Sequence, residues 1–300
     1  MVCVDWDTCR LYGGREVVRE IVAGLCVSRR GLAFSMLGLV SGTCLALSVT
    51  DAGAASVAKL QPIRNNDAFL FAPPRFYGVF DGVSACPESR AYAQTLAKTF
   101  GDTLVRRDAI GNFNIQARIA LKAATKKANT FKGASTVCVV RVDTERAPPT
   151  AYCYNIGDST AMVLRPSDED PASLVVANAT TAKTHDNGAP YQLAGRTFQS
   201  DKVEDGETFA FEVGAGDVVL CFTDGISCNL EPPEIAKIAS AASSADEMAK
   251  ALVERARDAC IVSDDTTCVA LRIGEGPAVG AEAGFSAEEM PWEKLGLRVF

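Results

Sequence analysis

The sequence predicts an α+β domain in which antiparallel sheets are covered by helices, and three observations carry that prediction. Short apolar runs rich in valine and aromatic residues recur along the chain with turn residues between them, which reads as strands. Paired amphipathic helices interrupt these runs, the pattern of a layered domain. At 300 residues, 48% hydrophobic and 22% charged, the chain carries enough apolar material for one large domain or two small ones.

The elements follow in order. Gly31 to Val49 is an uncharged stretch that reaches the length of a transmembrane helix. Ser28, Arg29 and Arg30 precede it, and Ala52-Gly53-Ala54 follows with the small residues of a signal cleavage site, so the segment resembles a twin-arginine signal of the kind that routes proteins into the thylakoid. Asp5, Asp7, Glu16 and Glu20 run against an ordinary transit peptide. A targeting segment, a retained anchor and an internal core helix are the readings of this stretch, and in each the folded domain is expected to begin near residue 56. Residues 1–55 are thus assigned to a targeting or anchor leader, 56–274 to the domain, and 275–300 to a C-terminal extension docked through Trp292, Leu295 and Phe300. If the leader is a signal, the site of action is an organelle, chloroplast (thylakoid) or mitochondrion; if it is an anchor, the protein associates with a membrane through residues 31–49.

Within the domain, Phe69–Phe71 and Phe76–Phe80 bracket Pro73-Pro74 as a hairpin-like pair of strands. Tyr92, Leu96, Phe100 and Leu104 place one apolar face on a first helix; a second opens at Asn112 as N-cap and is expected to bury Ile115, Ile119 and Ala123. Strands are predicted at Thr136–Val142, Ala151–Ile156, Thr160–Leu164, Leu174–Ala177, Thr208–Val213 and Val218–Phe222. A helix follows Pro232-Pro233, and Ser244-Ala245-Asp246-Glu247 opens another as a capping box. A last strand spans Thr266–Ile273.

Composition narrows the function. A net charge of -7 argues against nucleic acid, whose phosphates require a basic face. The eleven cysteines are odd in number and include no Cys-x-x-Cys, which reads as buried thiols rather than a disulfide framework. His185 is the single histidine, so no site can hold two histidine ligands, and any metal would sit on oxygen. Asp67, Asp81-Gly82, Asp224-Gly225 and Asp264-Asp265 each stand at the end of an apolar run. Carboxylates gathered from distant strand ends are what a pair of hard divalent cations requires, and a glycine lets the backbone carbonyl come close. Taken singly, each Asp-Gly is better explained by a β-turn.

The order and spacing of these segments resemble the metal-dependent protein phosphatases of the PPM (type 2C) family. The matching segments are Asn66-Asp67-Ala68, Phe76 to Val83, Gly133-Ala134-Ser135-Thr136, Asn155-Ile156-Gly157-Asp158-Ser159, Thr223-Asp224-Gly225-Ile226 and Ser263-Asp264-Asp265-Thr266-Thr267. His185 followed by Pro190-Tyr191-Gln192-Leu193, with Asp81-Gly82-Val83 in place of Asp-Gly-His, is similar to the organellar branch of that family. The resemblance implies a four-layer α/β/β/α fold, a β-sandwich of two antiparallel sheets flanked by helices. It implies a protein serine/threonine phosphatase that acts on phosphoprotein substrates through a water activated by two Mn²⁺ or Mg²⁺ ions. Asp81, Gly82 through its carbonyl, Asp224 and Asp264 would hold the ions, with Asp67 helping through water and Asp158 matching a third, weaker site. Asp81, Asp224 and Asp264 would thereby be the catalytic residues. For Asp158 a turn-capping role is equally open.

The chain also departs from the family. Asn66 stands where a glutamate is usual, Val83 where a histidine serves as general acid in many relatives, and Arg64 is the nearest candidate for the phosphate-binding arginine. An alternative is a pseudophosphatase, a binding module of the same fold that has lost turnover. His185 is expected to have a structural or substrate-lip role rather than to catalyse. Lys122, Lys126 and Lys127 read as a solvated helix face, and Cys221 and Cys228, which flank Asp224, lack the base that a cysteine nucleophile needs.

Overall fold

The computed structural model describes residues 46–59, 65–106, 111–196 and 198–279. In chain order these form β1 (Leu47–Val57), β2 (Ala68–Ala72), β3 (Phe76–Phe80), α1 (Ser89–Arg106), α2 (Phe113–Ala128), β4 (Ala134–Ser135), β5 (Val137–Asp143), β6 (Thr150–Ile156) and β7 (Thr160–Pro166). There follow β8 (Leu174–Ala179), β9 (Leu193–Ala194), a 3₁₀ turn (Val203–Asp205), β10 (Glu207–Glu212), β11 (Val218–Phe222), α3 (Asp224–Ser227), α4 (Pro232–Ala241), α5 (Ala245–Ala259) and β12 (Thr266–Glu275).

Two five-stranded sheets, ordered β1-β12-β11-β7-β8 and β10-β6-β5-β3-β2, are antiparallel throughout. The central strands are apolar on both faces because each face has a different neighbour. Along β11, Val219 and Cys221 face the other sheet, while Val218, Leu220 and Phe222 face α4 and α5. Along β3, Tyr77 and Val79 enter the space between the sheets, and Phe76 and Phe80 pack beneath α1 and α2. Three cores therefore separate four layers in the order α/β/β/α, the architecture expected for the chain.

The strands and helices predicted within the domain are all present, with two corrections of detail. Asn112 does cap α2, its side chain accepting from the Ile115 amide at 3.4 Å. The expected buried face is nonetheless wrong: Ile115 is 59% exposed and Ile119 39%, and Ala123 is exposed as well. The helix instead buries Phe113, Leu121 and a stripe of alanines, Ala117, Ala120, Ala124 and Ala128, against α1 and the sheet. Small residues let the helix lie close to its neighbour, so the buried stripe is not the one marked by the largest side chains. At α5 the Ser244 side chain accepts from the Glu247 amide at 3.2 Å, but Glu247 reaches back to the amide of Ser243 at 2.8 Å, one residue upstream of a standard capping box.

At the N-terminal side, Leu47–Val57 pairs with β12 from Leu47 opposite Glu275 to Val57 opposite Thr266. The boundary expected at residue 55/56 therefore falls inside a strand, and the last three residues of the apolar run 31–49 belong to a sheet. Two contacts tie β1 to α5: Asp51 accepts the Ala245 amide at 2.7 Å, a carboxylate at a helix N-terminus, and a Cβ on Gly53 would lie 2.3 Å from the Asp246 backbone. Residues 1–45 of the leader, including Arg29 and Arg30, and the docking residues Trp292, Leu295 and Phe300 lie outside the described residues. Among the described residues, no helix is long and apolar enough to cross a membrane.

Candidate metal centre

Strand β3 ends at Phe80 and delivers Asp81; the turn between β6 and β7 delivers Asp158; α3 begins at Asp224 directly after β11. One carboxylate oxygen from each of these three residues lies within 4.8 Å of the other two. Both Asp-Gly pairs are tightly constrained by neighbouring backbone. A Cβ on Gly82 would stand 2.1 Å from the Asn66 carbonyl oxygen, and one on Gly225 2.1 Å from that of Asp265. Each glycine thus permits one acidic segment to close against another, which is the physical reason for the residue after the aspartate.

Asp67 is 3% exposed and supports the cluster from behind. Its Oδ2 accepts from Thr267 Oγ1 at 2.7 Å and from Thr223 Oγ1 at 3.1 Å, and its Oδ1 lies 3.4 Å from the Gly82 amide. Thr223 and Thr267 come from the ends of β11 and β12, so two strands of one sheet hold a carboxylate that leads into the other sheet. Asp264 stands outside the set of three. Its Oδ1 accepts the Asp265 amide at 2.8 Å and lies 3.5 Å from Lys59 Nζ. Arg64 lies outside the described residues.

The cluster is electrostatically crowded. Burial pushes the Asp67 carboxyl up to about 7, against the hydrogen bond from Thr267. Burial, and then the charges of Asp67 and Asp224, hold Asp81 well above the usual carboxylate range. Asp224 is raised by burial despite its hydrogen bond with Asp81, and Asp158 is pushed up to about 6 by burial and then by the Asp224 charge. Oδ1 of Asp158 and Oδ1 of Asp224 are buried and meet no hydrogen-bond donor among the described residues. Converging carboxylates with unused buried oxygens and raised pKa values lack positive charge at their centre, and an all-oxygen donor set fits a hard divalent cation such as Mn²⁺ or Mg²⁺.

Several contacts that build this region leave no mark in the sequence, although Asp265 itself stands out there beside Asp264. Asp265, 2% exposed, accepts the Lys59 amide on Oδ1 and the Asn66 amide on Oδ2, both at 2.9 Å, and so ties the end of β1 to the first acidic segment. Thr223 and Thr267 lay inside quoted segments but carry no chemistry of their own that would mark them. Lys59 sits in a stretch without any motif. Its place becomes visible only when β1 is known to pair with β12.

His185 lies in a loop that packs on the Asp158 turn, where the Lys183 amide donates to the Gly157 carbonyl at 2.8 Å. Its ring stacks on Tyr191 at 4.0 Å between centroids, and Nε2 lies 3.1 Å from Asp201 Oδ2. The imidazole is thus engaged within its own loop. Cys221 is buried between the sheets, 3.4 Å from Cys138 Sγ, while Cys228 is exposed.

Comparison with known proteins gives this arrangement a context. Residues 107–274 match the family model described as Stage II sporulation protein E (SpoIIE). The chain is 29% identical over 174 residues to "Probable protein phosphatase 2C 55" of Arabidopsis thaliana, covering 57% of this chain and 34% of that protein. It is 28% identical over 145 residues to "Protein phosphatase PTC7 homolog fig" of Drosophila erecta, covering 45% and 43% respectively. The chain thus spans less than half the length of these curated relatives. Among solved structures, the photosystem II phosphatase PBCP superposes with a TM-score of 0.60 at 17% identity, covering 77% of this chain and 100% of that one. The catalytic domain of the serine/threonine protein phosphatase PstP, in complex with two manganese ions, gives a TM-score of 0.58 at 18% identity, over 77% and 99%. These likenesses are to the fold.

Proposed function

Since the chain belongs to the SpoIIE family and, with it, to the PPM-type phosphatases, we propose that it is a metal-dependent protein serine/threonine phosphatase that hydrolyses phosphoserine and phosphothreonine in protein substrates. The observation that carries the proposal is the convergence of Asp81, Asp158 and Asp224, with two buried oxygens that no donor among the described residues satisfies. In this reading Asp81, the Gly82 carbonyl, Asp224 and Asp264 hold two Mn²⁺ or Mg²⁺ ions, Asp67 assists, and Asp158 serves a third. Such ions, when bound, supply a water of lowered pKa and neutralise phosphoryl charge.

The chain's own residues do the remaining work. Thr223 and Thr267 fix Asp67 so that its charge stays aimed beneath Asp81. Gly82 and Gly225 hold the acidic segments at a spacing that a side chain would break. Val83 offers no proton, so the leaving alkoxide takes its proton from water or from another residue. Retention of Asp81, Asp224 and Asp264 favours turnover over a binding role. The twin-arginine-like leader and the likeness to PBCP, described as a photosystem II phosphatase, support an organellar site of action as part of the same proposal.

Hydrolysis of a phosphothreonine peptide by the full chain, with and without added Mn²⁺, tests the reading. Phosphate release that depends on Mn²⁺ and is lost in EDTA is expected. No release at any metal concentration would overturn it.

A further inference from the structure

One cavity beyond the metal centre gathers positive charge that no described carboxylate answers. It holds about 410 Å³, and its lining includes Lys126 and Asn129 at the end of α2, Phe131 and Lys132 before β4, and Arg196 after β9. Lys126, Lys132 and Arg196 are exposed and make no ion pair among the described residues, whereas Lys122 on the same helix pairs with Glu204. Glu88 reaches this segment, but its carboxylate accepts the Lys132 backbone amide at 2.6 Å and is thereby committed to the main chain.

The helix accounts for only part of the set. Lys126 stands in the last turn of α2, where a cation complements the helix dipole. Lys132 and Arg196 lie outside the helix, and their approach is built by the backbone. The Gly195 amide donates to the Gly133 carbonyl at 2.8 Å, and a Cβ on Gly195 would stand 2.0 Å from the Phe131 carbonyl oxygen. Glycine at 195 lets the chain after β9 close on this segment and carry Arg196 to the cavity that Lys132 lines. Like charges held together repel one another, and an anion between them removes that cost.

The cavity also has a fixed relation to the acidic cluster. β4 pairs with β9, and at its inner end the Thr136 amide donates to the Asp81 carbonyl at 2.9 Å, while the Val83 amide donates to the Ala134 carbonyl at 3.0 Å. From Thr136 out to Lys132 is four residues, at most about 13 Å of chain. An extended peptide with its phosphoresidue at the metal centre therefore reaches the cavity with a residue about four positions away.

We propose that this cavity is a substrate subsite for an acidic segment, aspartates or glutamates of the phosphoprotein about four positions from the phosphoresidue, with Lys126, Lys132 and Arg196 as the cations that select it. The proposal rests on the phosphatase reading for the phosphoresidue and extends it to the sequence on one side of that residue. On a chain of net charge -7, such a subsite admits an acid-rich substrate that the molecule as a whole would repel.

The test uses the full chain at saturating Mn²⁺ and three phosphothreonine peptides: one with a block of glutamates ahead of the phosphothreonine, one with the block after it, and one with glutamines in both places. One glutamate peptide should exceed the glutamine peptide about fivefold or more in kcat/KM at low salt, chiefly through KM, and the advantage should shrink as salt is raised. In the triple variant Lys126→Gln, Lys132→Gln, Arg196→Gln the advantage should fall to within about twofold, while hydrolysis of p-nitrophenyl phosphate, which has no flanking chain, stays at the parent rate. A parent that does not distinguish the peptides, an advantage retained in the triple variant, or an equal loss on p-nitrophenyl phosphate would overturn the assignment. So would binding to phosphatidylglycerol vesicles that the triple variant loses, without any peptide preference, since the cavity would then be a membrane contact. Fluorescence anisotropy of the labelled, unphosphorylated glutamate peptide in EDTA repeats the comparison without turnover, and its affinity should fall about fivefold in the triple variant. Unchanged affinity there would also count against the subsite. A parent that binds this peptide through the three cations but hydrolyses no phosphopeptide would defeat the phosphatase reading alone.

Discussion

Asp224 sits where burial and like charges already raise its pKa, so replacing it by asparagine separates function from stability. Asp224→Asn removes a negative charge from a site proposed to hold two divalent ions, and peptide hydrolysis at saturating Mn²⁺ should fall by about two orders of magnitude or more. The metal-free protein should melt at the same or a higher temperature, because the remaining carboxylates repel one another less. Unchanged turnover at saturating Mn²⁺ would show that Asp224 is no ligand. At this scale the aspartates were legible in the sequence, since each stands at the end of an apolar run and carries the chemistry itself. Thr223, Thr267 and Lys59 were not, nor were the partners of Asp265, because these roles arise from contacts between segments far apart in the chain. Thr267 Oγ1 and the Asp67 carboxylate are 200 residues apart, and no local pattern encodes such a pair.

Elements were more legible than their faces. The strands came through because both faces of β3, β5 and β11 are buried, leaving short apolar runs that turns delimit. The first helix came through because Tyr92, Leu96, Phe100 and Leu104 are large as well as buried. In α2 size misled: Ile115 and Ile119 suggested the inner face, whereas Phe113, Leu121 and the alanines Ala117, Ala120, Ala124 and Ala128 form it. Two substitutions distinguish the readings. Ala120→Leu should destabilise the domain by about 1–3 kcal/mol through overpacking beneath α1. Ile115→Ala, at an exposed position, should change stability by no more than about 0.5 kcal/mol. Urea unfolding of both variants checks this, and a larger loss from Ile115→Ala than from Ala120→Leu would reverse the assignment of faces. Strand β1 escaped notice for a different reason: Leu47 to Val57 adjoins an uncharged stretch that reads as part of a leader, and only its pairing with β12 gives it a place.

For the whole molecule, the acidic cluster links stability to pH and metal. Carboxyls whose folded-state pKa values lie above their ordinary value near 3.8, with Asp67 at about 7 and Asp158 at about 6, bind protons more tightly in the folded chain than in the unfolded one. Stability of the metal-free protein should therefore be highest at the acidic end of this window and decline as pH rises toward about 7, the reverse of a salt-bridged carboxylate. Melting in EDTA at pH 5.5 and at pH 7.5 measures the decline, which should shrink in an Asp81→Asn, Asp224→Asn double variant. Mn²⁺ should restore the loss at the higher pH, since binding to the folded state alone adds to its stability. An EDTA melting temperature that rises across the window equally in both proteins would refute the linkage. The pairing of β1 with β12 carries a further consequence, for the time at which the protein becomes competent. Asp264 and Asp265 precede the last strand of the domain, and the strand they serve is the first. A ribosome must therefore translate almost the whole domain before β1 finds its partner, so Asp67, Asp81, Asp158 and Asp224 all emerge before Asp264 and Asp265, and the site is complete only when synthesis has passed β12.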